Sequence, residues 1–175
     1  QENAGINSTL NINQLINFHK ISINSNIQED ITDNDVFNFL MRGEVKDNIF
    51  IDNVLSNNRN NFIINRFEEN EIISKIDDVE NIIILGDIAS GKSVLANVVS
   101  IKLASLGYEV FNLKSEVYDC FDEIDLITTL KGKVAIIIDN YTSRIDELKY
   151  IIDKRSKSLK LILTSMTIFL ASSID

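Results

Sequence analysis

From Asn81 onward the apolar residues fall into two alternating rhythms. Ile82-Ile83-Ile84-Leu85 and Val134 to Ile138 are unbroken, strand-length runs, apolar on both faces. Between and after them the pattern changes period. Lys92 to Leu106 reads as a helix stopped by Gly107, and Tyr108 to Leu113 alternates as a strand. Glu116 to Leu130 and Ser143 to Arg155 read as helices, Leu159 to Thr164 as a strand, and Ile168 to Ala171 as the opening of another helix. Strands apolar on both faces, alternating with helices, predict a three-layer α/β domain with a parallel sheet covered on both sides.

Before Asn81 the pattern is weaker and asparagine is frequent up to about residue 70. Residues 1–30 show mixed periodicity and are expected to be a linker or the tail of a preceding domain. Residues 31–80 form a helical lead-in. Ile31 to Glu44 is one helix, capped by Thr32 or Asp33, with Val36, Phe37, Leu40 and Met41 on one face and Gly43 as its stop. Arg66 to Ile76 is a second, with Phe67, Ile72, Ile73 and Ile76 as its apolar residues. Asn57-Asn58-Arg59-Asn60-Asn61 between them reads as a loop. The chain has no proline, so helix ends rest on Gly, Asn, Asp and Ser.

The first apolar run leads directly into Gly86-Asp87-Ile88-Ala89-Ser90-Gly91-Lys92-Ser93-Val94. Its first eight residues match G-x-x-x-x-G-K-[ST], a phosphate cradle known as the Walker A motif or P-loop. Gly86 and Gly91 let the backbone turn so that successive N–H groups face phosphate oxygens. The helix that follows aims its positive end at the same place. Lys92 adds a charge for the β- and γ-phosphates, and Ser93 offers a hydroxyl to Mg²⁺. A chance match in a chain this long has odds on the order of one in a hundred from average residue usage, and the strand–loop–helix context lowers them.

Two further strand ends fit the same chemistry. Val134 to Ile138 delivers Asp139, the residue type that holds the Mg²⁺ shell in such proteins. Leu159 to Thr164 is the strand expected between the Gly86 and Asp139 strands (the ASCE order), and Thr164 is a candidate γ-phosphate sensor as well as an ordinary strand-end residue. Residues 81–175 are thus the expected P-loop NTPase core, cut short at its C-terminal end. The candidate catalytic group is Lys92, Asp139, Asn140 and Thr164, with Ser93 and Asp139 toward Mg²⁺.

Composition narrows the partners. The chain has 175 residues, 45% hydrophobic and 25% charged, with net charge −9. That balance disfavours non-specific binding to nucleic acid or to anionic membrane. Cys120 is the only cysteine and His19 the only histidine. No intrachain disulfide, zinc site or Ser-His-Asp triad is expected, and the setting is expected to be reducing and cytoplasmic. No apolar run approaches the ~20 residues of a membrane span. The chain opens on Gln1-Glu2-Asn3 rather than methionine, and is expected to be a piece of a longer protein.

Taken together, "FNFLMRGE" (Phe37–Glu44), "NRFEENEIISKI" (Asn65–Ile76), "GDIASGKS", "VAIIIDN" and "LILTSM" resemble, in order and spacing, the nucleotide-binding core of the STAND NTPases. These are signal-transducing relatives of the AAA+ proteins, and the likeness is to the bacterial members, over about residues 35–170. The resemblance implies a large parent chain with an effector domain before the NTPase and a sensor after it. It implies a switch from a resting form to an oligomer, driven by binding or exchange of ATP and ADP with Mg²⁺, often in antiviral defence. By the same resemblance Arg66 matches an arginine near the nucleotide. Two positions depart from the pattern. Asn140 stands where many active ATPases carry glutamate, and an amide cannot serve as a general base. Met166 stands where an arginine is frequent in the family.

The expected function is therefore an ATP-binding, slowly or conditionally hydrolysing switch module. A more active ATPase of another P-loop class, a small-molecule kinase and a non-enzymatic interaction module are the alternatives. The intact Lys92, Ser93 and Asp139 weigh against the last. An adenine nucleotide is expected over guanine, since no Asn/Thr-Lys-x-Asp motif is present.

Overall fold

The computed structural model describes residues 12, 15–23, 32–42, 63–64 and 66–167. The elements in chain order are β1 (Phe18–Ile21), α1 (Asp33–Arg42), α2 (Phe67–Lys75), β2 (Asn81–Gly86), α3 (Lys92–Ser105) and β3 (Glu109–Leu113). Then come α4 (Phe121–Thr128), β4 (Val134–Ile138), a 3₁₀ turn (Tyr141–Ser143), α5 (Ile145–Lys154) and β5 (Leu159–Met166). The strands form one five-stranded sheet in the order β1-β3-β4-β5-β2. β2, β5, β4 and β3 run parallel, and β1 joins β3 antiparallel.

Side-chain alternation along the strands builds two cores. In β4 every residue is buried. Val134, Ile136 and Ile138 enter one core, with Phe111, Leu161, Ile124, Ile127 and Ile151. Ala135 and Ile137 enter the other, with Ile162, Val98, Val99, Ile72 and Ile76. Helices α4 and α5 cover the first face and α2 and α3 the second, so the architecture is three-layered and the sheet mostly parallel. Both faces of β4 meet apolar helices, which is why its run is unbroken. Truncating one of these residues, Ile136→Ala for example, removes ~2–5 kcal/mol.

Four sequence expectations differ from the structure. β1 lies within the stretch read as linker or preceding tail. Its pattern is only four residues long, and it is held by a distant carboxylate. Buried Glu123 on α4 accepts from the backbone N–H groups of Ile16 (2.9 Å) and Asn17 (3.0 Å) and from the Asn17 amide (3.1 Å). In α1, Phe37 and Met41 face solvent, while buried Asp35 and half-buried Phe39 turn inward. Asp35 is fixed there because its carboxylate accepts from both the Thr32 hydroxyl (2.7 Å) and the Thr32 N–H (3.1 Å), a reciprocal N-terminal cap. In α2, Phe67 is exposed while Ile72 and Ile76 are buried. α4 starts at Phe121 rather than Glu116, because the chain before it turns irregularly, with Asp119 at φ 34°. The helix expected at Ile168 to Ala171, the Asn57–Asn61 loop and the Gly43 stop lie outside the described residues.

The lead-in helix α2 is fastened to the NTPase core by polar contacts as well as apolar ones. Glu69, buried, pairs with Lys102 of α3 at 2.7 Å and accepts from the Arg66 N–H at 2.8 Å. Beyond α2, Lys160 of β5 donates to the carbonyls of Val79 (2.7 Å) and Asp77 (3.1 Å). These ties place the start of α2 beside the loop that follows β2.

Candidate functional site

The loop between β2 and α3 curls back over itself. Gly86 closes β2, and a Cβ there would meet the Ser90 hydroxyl at 2.7 Å, so only glycine fits without a shift. Gly91 is the residue before α3 and sits at φ 79°, a left-handed conformation that L side chains rarely adopt. Ala89 is also left-handed, at φ 60°. The resulting ring surrounds the Lys92 ammonium. Lys92 Nζ donates to the carbonyls of Gly86 (2.9 Å) and Asp87 (2.6 Å) and reaches the Ser90 hydroxyl at 3.3 Å. The first N–H groups of α3 lack intrahelical partners by helix geometry and point out at the same opening. Asp87, Ile88 and Ala89 are exposed at the rim, while half-buried Val94 packs on the core beneath α3.

The second half of the site comes from the ends of β4 and β5. The Ser93 hydroxyl donates to Asp139 Oδ2 at 2.7 Å, across 46 positions of sequence. Thr164, buried at the end of β5, donates its hydroxyl to Asp139 Oδ1. The same Thr164 oxygen accepts from the Asn140 N–H at 2.8 Å. Asp139 is thus oriented from two sides, with its carboxylate turned toward the start of α3. The Thr164 hydroxyl, read in the sequence as a γ-phosphate sensor, is engaged here with Asp139 and Asn140.

Asn140 has a structural reason for its identity. It is left-handed, at φ 50°, a conformation asparagine tolerates far better than glutamate does. Its side chain accepts from the Thr142 hydroxyl at 3.1 Å and its carbonyl accepts from Ser143, which sets the 3₁₀ turn. No carboxylate follows Asp139 until Asp146 and Glu147. Asp146 is exposed, and Glu147 lies 3.7 Å from Arg144.

Arg66 reaches the loop from the opposite side. Its Nη2 donates to the Ser90 carbonyl at 2.6 Å, and its guanidinium lies over Gly91, where a Cβ would come within 3.3 Å of it. The structure therefore brings together Arg66, Gly86, Ser90, Gly91, Lys92, Ser93, Asp139, Asn140 and Thr164, from the start of α2, the β2–α3 loop and its flanks, the end of β4, and β5.

One group went unread in the sequence. Beside Ser93 and Asp139 opens a cavity of about 380 Å³, lined among others by Asn97, Asn112, Ser115, Ser143 and Arg144. Asn97 sits one turn after Ser93 on α3, and its amide oxygen accepts from Asn112 of β3 at 3.2 Å. The i, i+4 spacing from Ser93 was the available signal for Asn97. Nothing in sequence spacing links Ser115 to Arg144.

The donor set fits a magnesium ion. Mg²⁺ is usually held by one or two carboxylates, phosphate oxygens and water rather than by an all-protein cage. One hydroxyl and one pre-oriented carboxylate stand at the mouth of the loop. Among the described residues no group of three His, Cys, Asp or Glu gathers to compete as a metal site.

No family model matches this sequence, and no curated protein matches it. Among solved structures the chain is similar to C. elegans PCH-2, at 18% identity and a TM-score of 0.49, covering 73% of this chain and 43% of that one. It is also similar to a chain of the E. coli MS115-1 HORMA:CdnC:Trip13 complex, at 14% identity and a TM-score of 0.34, covering 57% of this chain and 46% of that one. The chain spans less than half the length of either. Among the described residues no helix is long and apolar enough to cross a membrane.

Proposed function

We propose that this chain is the ATP-binding core of an AAA+-related, STAND-type switch protein, turning over slowly and acting in signalling or antiviral defence. The observation that carries the reading is the 2.7 Å contact between Ser93 and Asp139 at the mouth of a loop whose lysine already lies inside it. Lysine, hydroxyl and carboxylate come from β2–α3 and β4, and no packing need unites them there. The position of β5 between β2 and β4 supports the ASCE class, in which this crevice at the C-terminal strand ends is the ligand site.

In this reading the loop amides and the α3 N-terminus take the β- and γ-phosphates. Lys92 gives up the loop carbonyls for phosphate oxygens. Ser93 and Asp139 would hold Mg²⁺, which when bound neutralises charge on the phosphates. Thr164 keeps the Asp139 carboxylate turned outward. Arg66 holds the loop from the α2 side. Asn140 leaves the site without an adjacent general base, which suits a switch better than a motor. The defence role, the effector and sensor domains of the parent chain, its self-association through the NTPase and its cytoplasmic setting rest on the family resemblance.

The test is calorimetric titration of Mg·ATP and Mg·ADP into the chain and into Lys92→Ala, with phosphate release followed in parallel. Binding that disappears in Lys92→Ala, with turnover well below ~1 s⁻¹, supports the switch. Fast turnover removes the switch reading in favour of a working ATPase. Absence of binding favours a protein-interaction module.

A further inference from the structure

The cavity beside Ser93 and Asp139 is far larger than the space one water needs. Two cations line it, Lys114 and Arg144. Lys114 is directed elsewhere, its Nζ donating to the Ile16 carbonyl at 2.5 Å next to β1. Arg155, the other arginine of the core, lies at the opposite end of the sheet, on Asn81 (2.8 Å) at the start of β2. Arg66 is engaged on the far side of the loop. Among the described residues Arg144 is the only arginine that lines the space which Ser93 and Asp139 also line.

Its backbone and its head are held very differently. The Arg144 N–H donates to the Tyr141 carbonyl and its carbonyl accepts from Leu148, both at 2.9 Å, which fixes the residue at the start of α5. The guanidinium has one donated bond, to the Ser115 carbonyl in the loop after β3, and a carboxylate, Glu147, at 3.7 Å. A single carbonyl and a carboxylate beyond hydrogen-bond distance are partners that a phosphoryl group can replace, since charged bidentate bonds to phosphate are the stronger ones.

We propose that Arg144 is a catalytic residue supplied by the same chain: it leaves Ser115 and stabilises the charge on the transferred phosphoryl group. This rests on the nucleotide reading above. In the step, the bond from the γ-phosphorus to the bridging oxygen breaks and its electron pair stays on ADP. A bond from the water oxygen to the phosphorus forms, and the water's protons leave on the phosphate product and to solvent. Charge accumulates on the equatorial oxygens in between, and the arginine acts on that charge. With Asn140 in place of a base, most of the rate this site can supply comes from such electrostatic stabilisation. The Ser115 contact also bridges the loops after β3 and β4, so release of Arg144 opens the cavity as the charge is engaged.

The experiment titrates a fluorescent adenosine diphosphate with Mg²⁺, with and without aluminium fluoride, into the full chain and into Arg144→Ala and Arg144→Lys. Aluminium fluoride completes a mimic of the transferred phosphoryl group. The expected result is slow, fluoride-dependent release of the diphosphate from the parent chain, independent of protein concentration. Arg144→Ala should bind the diphosphate within ~2-fold, yet lose the fluoride-dependent retention and at least ~100-fold in turnover. Arg144→Lys should recover part of the retention. Unchanged retention in Arg144→Ala overturns the proposal. So does diphosphate binding by the parent chain with no fluoride effect, or retention that grows with protein concentration and so assigns the role to a second copy. If the parent chain binds no diphosphate at all, the nucleotide reading fails and this inference falls with it.

Discussion

The guanidinium of Arg66 donates to the carbonyl of Ser90 at 2.6 Å, tying the start of α2 to the middle of the glycine loop. The loop has few other external supports, since Lys92 folds back onto its own carbonyls. Removing the grip should leave the fold intact and loosen the loop. We expect Arg66→Ala to weaken Mg·ADP binding ~5-fold, the equivalent of about 1 kcal/mol for one charge-assisted bond at an exposed site. Amide exchange across residues 87–91 should speed up at the same time. Calorimetry and exchange read the two effects separately, and an unchanged loop in exchange would show that the contact does not hold it.

Thr164 joins two groups through one oxygen, so the isosteric Thr164→Val leaves Asp139 and the Asn140 N–H each short of a partner. Asp139 and Asn140 are themselves exposed, so water replaces part of what is lost and the cost is ~0.5–1.5 kcal/mol, that of an ordinary hydrogen bond. We expect a lower denaturation midpoint and, separately, a reduced gain in ADP affinity on adding Mg²⁺. Binding in the presence of a chelator should change little. Thr164→Ser keeps the oxygen and should restore most of both. A γ-phosphate sensor would instead show its defect with ATP alone, with Mg·ADP unaffected, and that pattern would displace the positioning role of Thr164.

The parts of this molecule legible in its sequence are those built from dense local signals. β4 announces itself because a strand covered on both faces is apolar, and β5 through its buried Leu161-Ile162-Leu163. β2 carries the same apolar run although it is the edge strand, with Ile83 and Leu85 exposed. The Gly86–Ser93 loop is legible because each residue type has a mechanical duty within eight positions. β1 was not legible: four residues with two polar positions, one exposed and one half-buried, carry almost no period, and their anchor, Glu123, lies more than 100 positions away. The exposed Phe37, Met41 and Phe67 mislead in the opposite sense, since periodicity reports an apolar face but not what it meets. Arg66 entered through family resemblance, while the geometry that puts it on Ser90 depends on the docking of α2 on α3, which no local pattern encodes.

That docking has its own test. Glu69 is 1% exposed and holds both Lys102 and the Arg66 N–H. Glu69→Ala leaves the Lys102 ammonium without this partner and removes the side-chain acceptor of the Arg66 N–H at the start of α2. Lys102 remains about a quarter exposed, so solvent recovers part of the loss. We expect ~1–3 kcal/mol of destabilisation by chemical denaturation. Because Arg66 rides on α2, ADP affinity should fall as well. Lys102→Met, which keeps the cap, should lower stability while sparing more of the affinity. Equal affinity losses in the two variants would separate the cap from the positioning of Arg66.

Cys120 lies 1% exposed in the core shared by α4 and α5, and burial, with Glu147 nearby, pushes its thiol up to about 11. A thiol at that value carries almost no thiolate at pH 8, and the thiolate is the reactive form. We expect no labelling of the native chain by a thiol-specific disulfide reagent at pH 8, and one equivalent on unfolding in urea. Rapid native labelling would mean that the α4–α5 layer opens readily.

Alkaline pH probes the far end of the lead-in. Tyr108 is 5% exposed and donates its hydroxyl to Asp77 at 2.5 Å. Burial, then the bond to Asp77, pushes the phenol up to about 12 from its ordinary 10.0. The folded form therefore holds this proton more tightly than the unfolded chain. The associated stability is fully present below pH ~10, the unfolded value, and disappears as pH rises through the folded one. Tyr108 should ionise late in an ultraviolet titration, with a midpoint near 12, and that phase should vanish from the curve in Tyr108→Phe. Urea midpoints should separate the variants as well. The parent chain should lose stability between pH 9 and pH 11.5 more steeply than Tyr108→Phe, which starts lower for want of the Asp77 bond. Parallel slopes for the two chains would assign the alkaline loss to groups other than Tyr108, and leave the Tyr108–Asp77 contact without a part in holding the lead-in to the core.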